Sequence, residues 1–297
     1  MCEKYRSCTL CERRCGIDRT QGKVGFCKMS DKIKIARAAL HFWEEPPISG
    51  TNGSGTIFFS GCSLSCIYCQ NKEISHGAFG KEISTERLSE IMLRLQDDGA
   101  HNINFVTPTH YAPSIIKAVK MSRDNGLLLP IVYNTSSFDT LETIKMLEGT
   151  VDIYLPDLKY YRSSTAKKYS CAENYVDTAR LAIEEMYRQI SGAHIDSFGI
   201  MTRGIIARVL LLPGHLAEAK LTVKYLYEKY GDSIYISFMS QYTPSVGLPP
   251  PLNRRVSRDE YRELCDYAVK IGIINGFTQE FESANESFIP PFDLSGV

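Results

Sequence analysis

Three cysteines stand within eight residues in the stretch Gly61-Cys62-Ser-Leu-Ser-Cys66-Ile-Tyr-Cys69-Gln70-Asn71. Thiolates spaced by three and then two residues on one loop suit three irons of a [4Fe–4S] cube. With no fourth cysteine in the loop, one iron is left open to a ligand bearing nitrogen and oxygen. A closed four-thiolate site would instead suit structure or electron transfer. Two blander readings compete: a zinc site completed by His76, and buried cysteines without a ligand. Zinc normally takes paired short spacings around a tetrahedron, which a single three-cysteine loop does not supply.

A second group lies near the amino end, Cys8-x2-Cys11-x3-Cys15-x11-Cys27, with Cys2 beside it. Zinc there would be a folding clip. A second iron–sulfur cluster would deliver an electron or touch substrate. Reduced or redox-active thiols are the third reading. Residues 1–37 hold ten Lys or Arg against four Asp or Glu, a local charge of +6. With little apolar periodicity, this head needs a metal, or docking onto the rest of the chain, to be ordered. Pro46-Pro47 and Gly50-Thr-Asn-Gly-Ser-Gly55 then read as a linker, giving a head and linker over 1–50 and a main domain over 51–297.

These cysteines need a scaffold, and the chain is long enough to build one. Its 297 residues can bury roughly 74% of the surface that the extended chain exposes. Hydrophobic residues at 43% and charged residues at 23% exclude collagen-like, wholly disordered and simple coiled-coil chains. The 34 basic and 34 acidic side chains balance, so total charge implies neither nucleic acid nor an acidic substrate. The start has no apolar signal region and no apolar run reaches 18 residues, so a reducing, cytoplasmic setting without a membrane span is expected.

From residue 56 onward, strand and helix alternate. Strands are predicted at 56–60, 102–107, 129–134, 151–155, 205–212 and 234–239. Between them, Ser84 caps a helix with Leu88, Ile91, Met92 and Leu95 on one face, and Pro113 opens another. Asp139 is expected to cap a third, and Ser257 with Glu260 forms a capping box on the last. Six such units predict an α/β domain, a partial parallel barrel with a doubly wound sheet as the alternative, and place the ligand site at the carboxyl ends of the strands.

The Cys62-x3-Cys66-x2-Cys69 loop following the first of these strands resembles the hallmark of the radical S-adenosylmethionine superfamily. The head, His41-Phe-Trp-Glu-Glu-Pro-Pro-Ile-Ser-Gly50, Pro108-Thr-His110 and Ile289-Pro-Pro-Phe-Asp293 are similar to uncharacterised proteins related to pyruvate formate-lyase activating enzymes. The resemblance implies a [4Fe–4S] cluster whose open iron chelates S-adenosylmethionine, and reductive cleavage to a 5′-deoxyadenosyl radical. It also implies a one-electron donor such as flavodoxin or ferredoxin, and a glycyl radical enzyme or peptide as substrate. Tyr68 is then expected near the adenine.

Thr107, Thr109 and His110 stand where the superfamily often has Gly-Gly-Glu to receive the cofactor's amino group. Asn134 and Thr135 would meet its carboxylate or ribose. Asp157-Leu-Lys159 resembles an activase segment in which the Asp holds a monovalent cation and the Lys neighbours the cofactor. Arg208 is expected to meet the methionyl carboxylate, and Gln241, Tyr242 and Gln279 to line the mouth. Glu44 and Glu45 read as a charged linker or a contact for a basic partner. Two other readings stand beside this one: a radical enzyme modifying a peptide or RNA, with the basic head docking nucleic acid, and a non-catalytic iron–sulfur electron-transfer or sensor protein.

Overall fold

The computed structural model describes residues 3–77, 79–279 and 289–297. Its strands are β1 (Ile33–His41), β2 (Ser54–Phe59), β3 (Lys81–Ile83), β4 (Ile103–Val106), β5 (Ile131–Thr135), β6 (Ile153–Pro156), β7 (His194–Ile195), β8 (Met201–Leu210), β9 (Tyr235–Met239) and β10 (Gly276–Thr278). They form one sheet in the order β3-β1-β2-β4-β5-β6-β8-β9-β10, with β7 attached to β8. Neighbours from β2 through β10 along this order pair in parallel, while β1 runs antiparallel to β2 and β3 antiparallel to β1. Among the described residues the end strands β3 and β10 do not pair, so the barrel is partial, as the alternation predicts.

All six expected parallel strands are present. The sheet also contains β10, a three-residue strand too short to leave a pattern, and β1, which extends the sheet from within the stretch read as head and linker. Strand pleating sorts side chains to two faces. Ile131, Tyr133, Tyr154, Ile205, Ala207 and Val209 join the main core under the outer helices. Val132, Ile153, Leu155 and Ile206 face the other way and form a smaller apolar cluster with Ile48 and Met201. Ile48 belongs to the short helix Pro46–Ser49, whose main chain is tied in by Asn102 Nδ2 donating to the Ile48 carbonyl at 2.7 Å. The Pro-Pro segment is therefore the floor of the barrel interior.

The outer helices follow their local signals. Ser84 Oγ accepts from the Arg87 amide, and Leu88, Ile91, Met92 and Leu95 of Thr85–Asp97 are fully buried. The Ser257–Glu260 capping box forms on Arg258–Lys270. Asp139 does not cap its helix: the cap position of Leu141–Met146 is Thr140. The Asp139 carboxylate instead turns into the core, where Tyr133 Oη (2.8 Å) and Thr135 Oγ1 (2.6 Å) donate to it. Two hydroxyl donors satisfy the buried carboxylate there.

The head is docked rather than detached. Cys27, Met29, Ile33 and Ile35 join the main core. The fully buried Arg19 donates to the carbonyls of Met29 (3.1 Å), Ser30 (2.5 Å) and His110 (2.5 Å), fastening the head to the turn after β4. No helix among the described residues is long and apolar enough to cross a membrane.

Candidate functional site

The three-cysteine loop leaves the carboxyl end of β2 at Gly61. This residue has φ +82°, and a Cβ there would fall 2.4 Å from Met29 Cγ and 2.6 Å from the Cys27 carbonyl, so only glycine lets the head pass so close. Arg13 of the head clamps the loop from outside, donating to the carbonyls of Ser63 (2.9 Å), Cys171 (2.6 Å) and Ser170 (3.3 Å). Within the loop the Leu64 amide donates to Cys62 Sγ at 3.3 Å. Cys66 Sγ lies 2.9 Å from Ser170 Oγ, and Cys69 Sγ lies 3.3 Å from Ser75 Oγ.

From Cys66 a chain of hydroxyls runs inward: Ser170 Oγ to Tyr160 Oη at 2.6 Å, then Tyr160 Oη to Tyr68 Oη at 2.7 Å. Burial pushes the Cys66 thiol up to about 11, although the nearby Lys159 ammonium opposes the shift. Burial also raises Cys62, which Cys66 and Cys69 raise further as like charges, so the three sulfurs feel one another. Three mutually close thiols on one loop, with hydroxyl and amide donors aimed at the sulfur atoms, fit the ligand set of a cluster.

Cys66, Tyr68 and Cys69 open onto a cavity of about 590 Å³ over the strand ends. On its opposite wall, Arg208 of β8 donates to Asp157 Oδ1 (2.8 Å), Asn134 Oδ1 (2.6 Å) and Glu44 Oε2 (3.4 Å). Lys159 Nζ donates to Asp157 Oδ2 at 2.5 Å. Each oxygen of Asp157 therefore has a cationic partner. Burial alone would raise this carboxyl, but Arg208 and Lys159 hold it below the usual range. Burial opposes the charge of Arg208 too, and Asp157, Glu45 and Glu44 more than restore it.

Of the residues singled out in the sequence, Cys66, Cys69, Tyr68, Asn134, Asp157, Lys159 and Arg208 share this cavity, as do Gln241, Tyr242 and Gln279. Cys62, Thr107, Thr109, His110 and Thr135 do not line it. Thr107 holds the turn after β4 at φ +58°, its amide donating to the Asn134 carbonyl at 3.0 Å. The short turn that follows, Thr109–Tyr111, carries its side chains into the core. There Thr109 Oγ1 meets Thr135 Oγ1 at 3.4 Å, and His110 Nε2 bonds the Ser60 carbonyl at 2.8 Å.

Cys8, Cys11 and Cys27 are buried and Cys15 half-buried, all without disulfides. Burial, then Cys27, Cys8 and Cys15, pushes Cys11 up to about 12. Among the described residues no group of three or more His, Cys, Asp or Glu side chains is arranged to hold a single metal ion.

Glu44 and Glu45 are the site residues that sequence reasoning missed. Glu44 lines the cavity and accepts from Asn104 Nδ2 and Asn134 Nδ2, each at 3.2 Å, as well as from Arg208. They precede the floor helix, so they rise into the barrel interior from below. The signal available was a carboxylate pair immediately before a Pro-Pro helix start, which reads equally well as a solvated linker.

A mostly parallel open sheet whose cavity is lined by two thiols of a three-cysteine loop defines a class, and comparison with known proteins gives it a name. Residues 56–202 match the Radical SAM superfamily model. An uncharacterized protein of Methanocaldococcus jannaschii is 28% identical over 280 residues, covering 91% of this chain and 76% of its own.

Two solved structures share the fold. Streptococcus suis SuiB is 12% identical with a TM-score of 0.50, over 78% of this chain and 50% of its own. HydG, a maturase of the [FeFe]-hydrogenase, is 17% identical with a TM-score of 0.50, over 79% of this chain and 53% of its own. The chain thus spans about half the length of these two structures. A domain of this superfamily implies a [4Fe–4S] cluster and S-adenosylmethionine, and the thiol triad fits that cluster.

Proposed function

We propose that this protein is a radical enzyme that removes a hydrogen atom from a peptide or protein substrate, the glycine of a glycyl radical enzyme being the leading target. When bound, the cluster supplies one electron to the sulfonium of S-adenosylmethionine, releasing methionine and a 5′-deoxyadenosyl radical that takes the hydrogen. The residues of this chain position and shield. Cys62, Cys66 and Cys69 are the cluster ligands, and Ser170 and Ser75 fix the orientation of two of them. Tyr68, buried between Tyr160 and Tyr242, offers an aromatic wall to the adenine. Arg208, held rigid by Asp157 and Asn134, faces an anionic group such as the methionyl carboxylate, and Lys159 balances charge beside Cys66.

The observation that carries this reading is that one cavity gathers thiols from the loop after β2 and a guanidinium from β8. The engagement of both Asp157 oxygens by cationic side chains favours an ion-pair role for it over a monovalent-cation site. The head thiols Cys8, Cys11, Cys15 and Cys27, which are not arranged around a single metal ion, are read as ligands of a second iron–sulfur cluster, with reduced thiols as the alternative; metal content in Cys11→Ser decides between them.

Anaerobic reconstitution, reduction and detection of 5′-deoxyadenosine test the proposal. The wild type is expected to hold iron and sulfide and to form 5′-deoxyadenosine, and Cys66→Ala to lose both. A reduced, fully loaded wild type that leaves S-adenosylmethionine intact would support the electron-transfer or sensor reading instead.

A further inference from the structure

The charges inside the barrel do not balance. Three carboxylates, Glu44, Glu45 and Asp157, face the cavity with two cations, Arg208 and Lys159. Asp157 takes both cations and Glu44 takes the remaining reach of Arg208. Glu45 is left over. It is 7% exposed and lines the cavity, yet its Oε2 has no hydrogen-bond partner. Its nearest help is the Ser237 side chain and the more distant charge of Arg208. A carboxyl oxygen deprived of both water and a donor is costly wherever it occurs. Glu45 nevertheless lines the cavity, so a small rotation of its carboxylate would present this covered oxygen to a donor held there.

The location limits what that donor can be. Glu45 sits immediately before the floor helix Pro46–Ser49, beside Ser237 of β9, whose strand partner is Arg208, so it lies at the level of the guanidinium. Apolar walls surround this polar spot: Phe58, Val106, Leu210, Met239 and Phe277 also line the cavity. An occupant with an apolar stem and a cationic tip matches both features.

We infer that the floor of the cavity binds a positively charged nitrogen of the substrate, an ammonium or a guanidinium group, with Glu45 as its direct partner and Glu44 as the second carboxylate beside it. The inference rests on the proposed function, because it gives the anion-facing side of Arg208 to the cofactor and the carboxylates behind it, Glu44 and Glu45, to the substrate. Burial raises both glutamate carboxyls above their ordinary range, Arg208 opposing, so the cationic group would bring with it the charge that keeps Glu45 ionised.

The test is ligand-observed NMR on the reconstituted protein with three probes of similar size: propylguanidinium, butylammonium and neutral 1-pentanol. The two cations are expected to bind at least tenfold more tightly than the alcohol, to lose at least tenfold in Glu45→Gln, and to stay bound when S-adenosylmethionine is added to saturation. Equal binding of the alcohol overturns the inference using the wild type alone, independent of any folding defect in the variant. Unchanged binding by Glu45→Gln overturns it as well, and displacement by S-adenosylmethionine would hand the carboxylate to the cofactor. Failure of the radical reading itself shows separately, as absent 5′-deoxyadenosine, because probe binding requires no turnover.

Discussion

Asp157 and Arg208 face each other as a parallel bridge pair between the chain leaving β6 and β8, and their side chains meet at 2.8 Å. The backbone sets this meeting: the Leu158 amide donates to the Arg208 carbonyl at 3.0 Å, and the Asp157 amide to the Thr135 carbonyl at 2.9 Å. The guanidinium is therefore placed by strand register and then locked by Asp157, Asn134 and Glu44. A fork whose donors are already engaged can present its remaining surface to an anion with little loss of side-chain entropy.

Removing that guanidinium leaves the buried Asp157 and Glu44 short of a counter-charge. Arg208→Gln is expected to cost about 3–5 kcal/mol of folding stability, the usual penalty for breaking one side of a buried ion pair. Arg208→Lys, which keeps the charge but loses the fork, should cost less while still weakening S-adenosylmethionine binding. Urea denaturation midpoints and equilibrium binding of the two variants check this, and wild-type stability in Arg208→Gln would refute it.

Ser170 is a residue that no motif marks, and its hydroxyl lies 2.9 Å from Cys66 Sγ. Hydrogen bonds to cluster sulfurs raise the reduction potential by easing the added negative charge. Ser170→Ala removes a bond worth about 0.5–1.5 kcal/mol, which for one electron is roughly 20–65 mV. The variant is expected to keep its iron and sulfide and to show a lower potential by about that amount. Electrochemical titration of loaded wild type and variant reads it, and an unmoved potential would remove Ser170 from the cluster's environment.

The parts that could be read from sequence are those whose signal is local. The six core strands, the Ser84 cap and the Ser257–Glu260 box each depend on a few neighbouring residues, and each is present. Family resemblance brought Asp157, Lys159 and Arg208 forward, and they do share one cavity. What was missed depends on distant contacts. Glu44 meets Arg208 across 164 positions, and Arg13 reaches Cys171 across 158. Neither distance leaves any periodicity. Thr109 and His110 stand at the expected strand end, but the tight turn after β4 directs their side chains inward, a choice made by backbone geometry rather than residue type. Asp139 was misread because a helix-cap residue and a buried acceptor look alike until Tyr133 and Thr135 are seen to point at it.

The floor helix offers a test of how the cavity is supported. Ile48 is fully buried against Val132, Ile153 and Ile206, all on the inner face of the barrel. Ile48→Ala is expected to cost about 2–5 kcal/mol through lost burial and an unfilled space. Glu44 and Glu45 lie only four and three residues earlier, so the substitution should also loosen Arg208 and lower affinity for S-adenosylmethionine. Ile48→Val, with one methylene less, should cost about 0.5–1.5 kcal/mol and leave binding nearly intact. Thermal and urea unfolding rank the two, and equal costs would mean that the floor repacks freely.

The last prediction concerns His110, which ties the turn after β4 to the start of the cysteine loop. Its Nε2 donates to the Ser60 carbonyl, two residues before Cys62, so this nitrogen carries a proton. Burial, reinforced by the neighbouring Arg19 charge and only partly offset by that hydrogen bond, lowers its pKa from 6.5 to about 3. A proton binds the unfolded chain first. The stability that depends on a neutral His110 is therefore fully present above pH 6.5 and is lost as pH falls from there toward 3. Across that window the slope approaches about 1.4 kcal/mol per pH unit from this one group. His110→Gln keeps an Nε2 donor for Ser60 but cannot be protonated, so its stability should fall less steeply over the same range. Urea midpoints of both proteins measured from pH 7 to pH 4 decide the matter. Parallel pH profiles would mean that His110 is protonated as readily in the folded chain as in the unfolded one, and that burial does not hold it neutral.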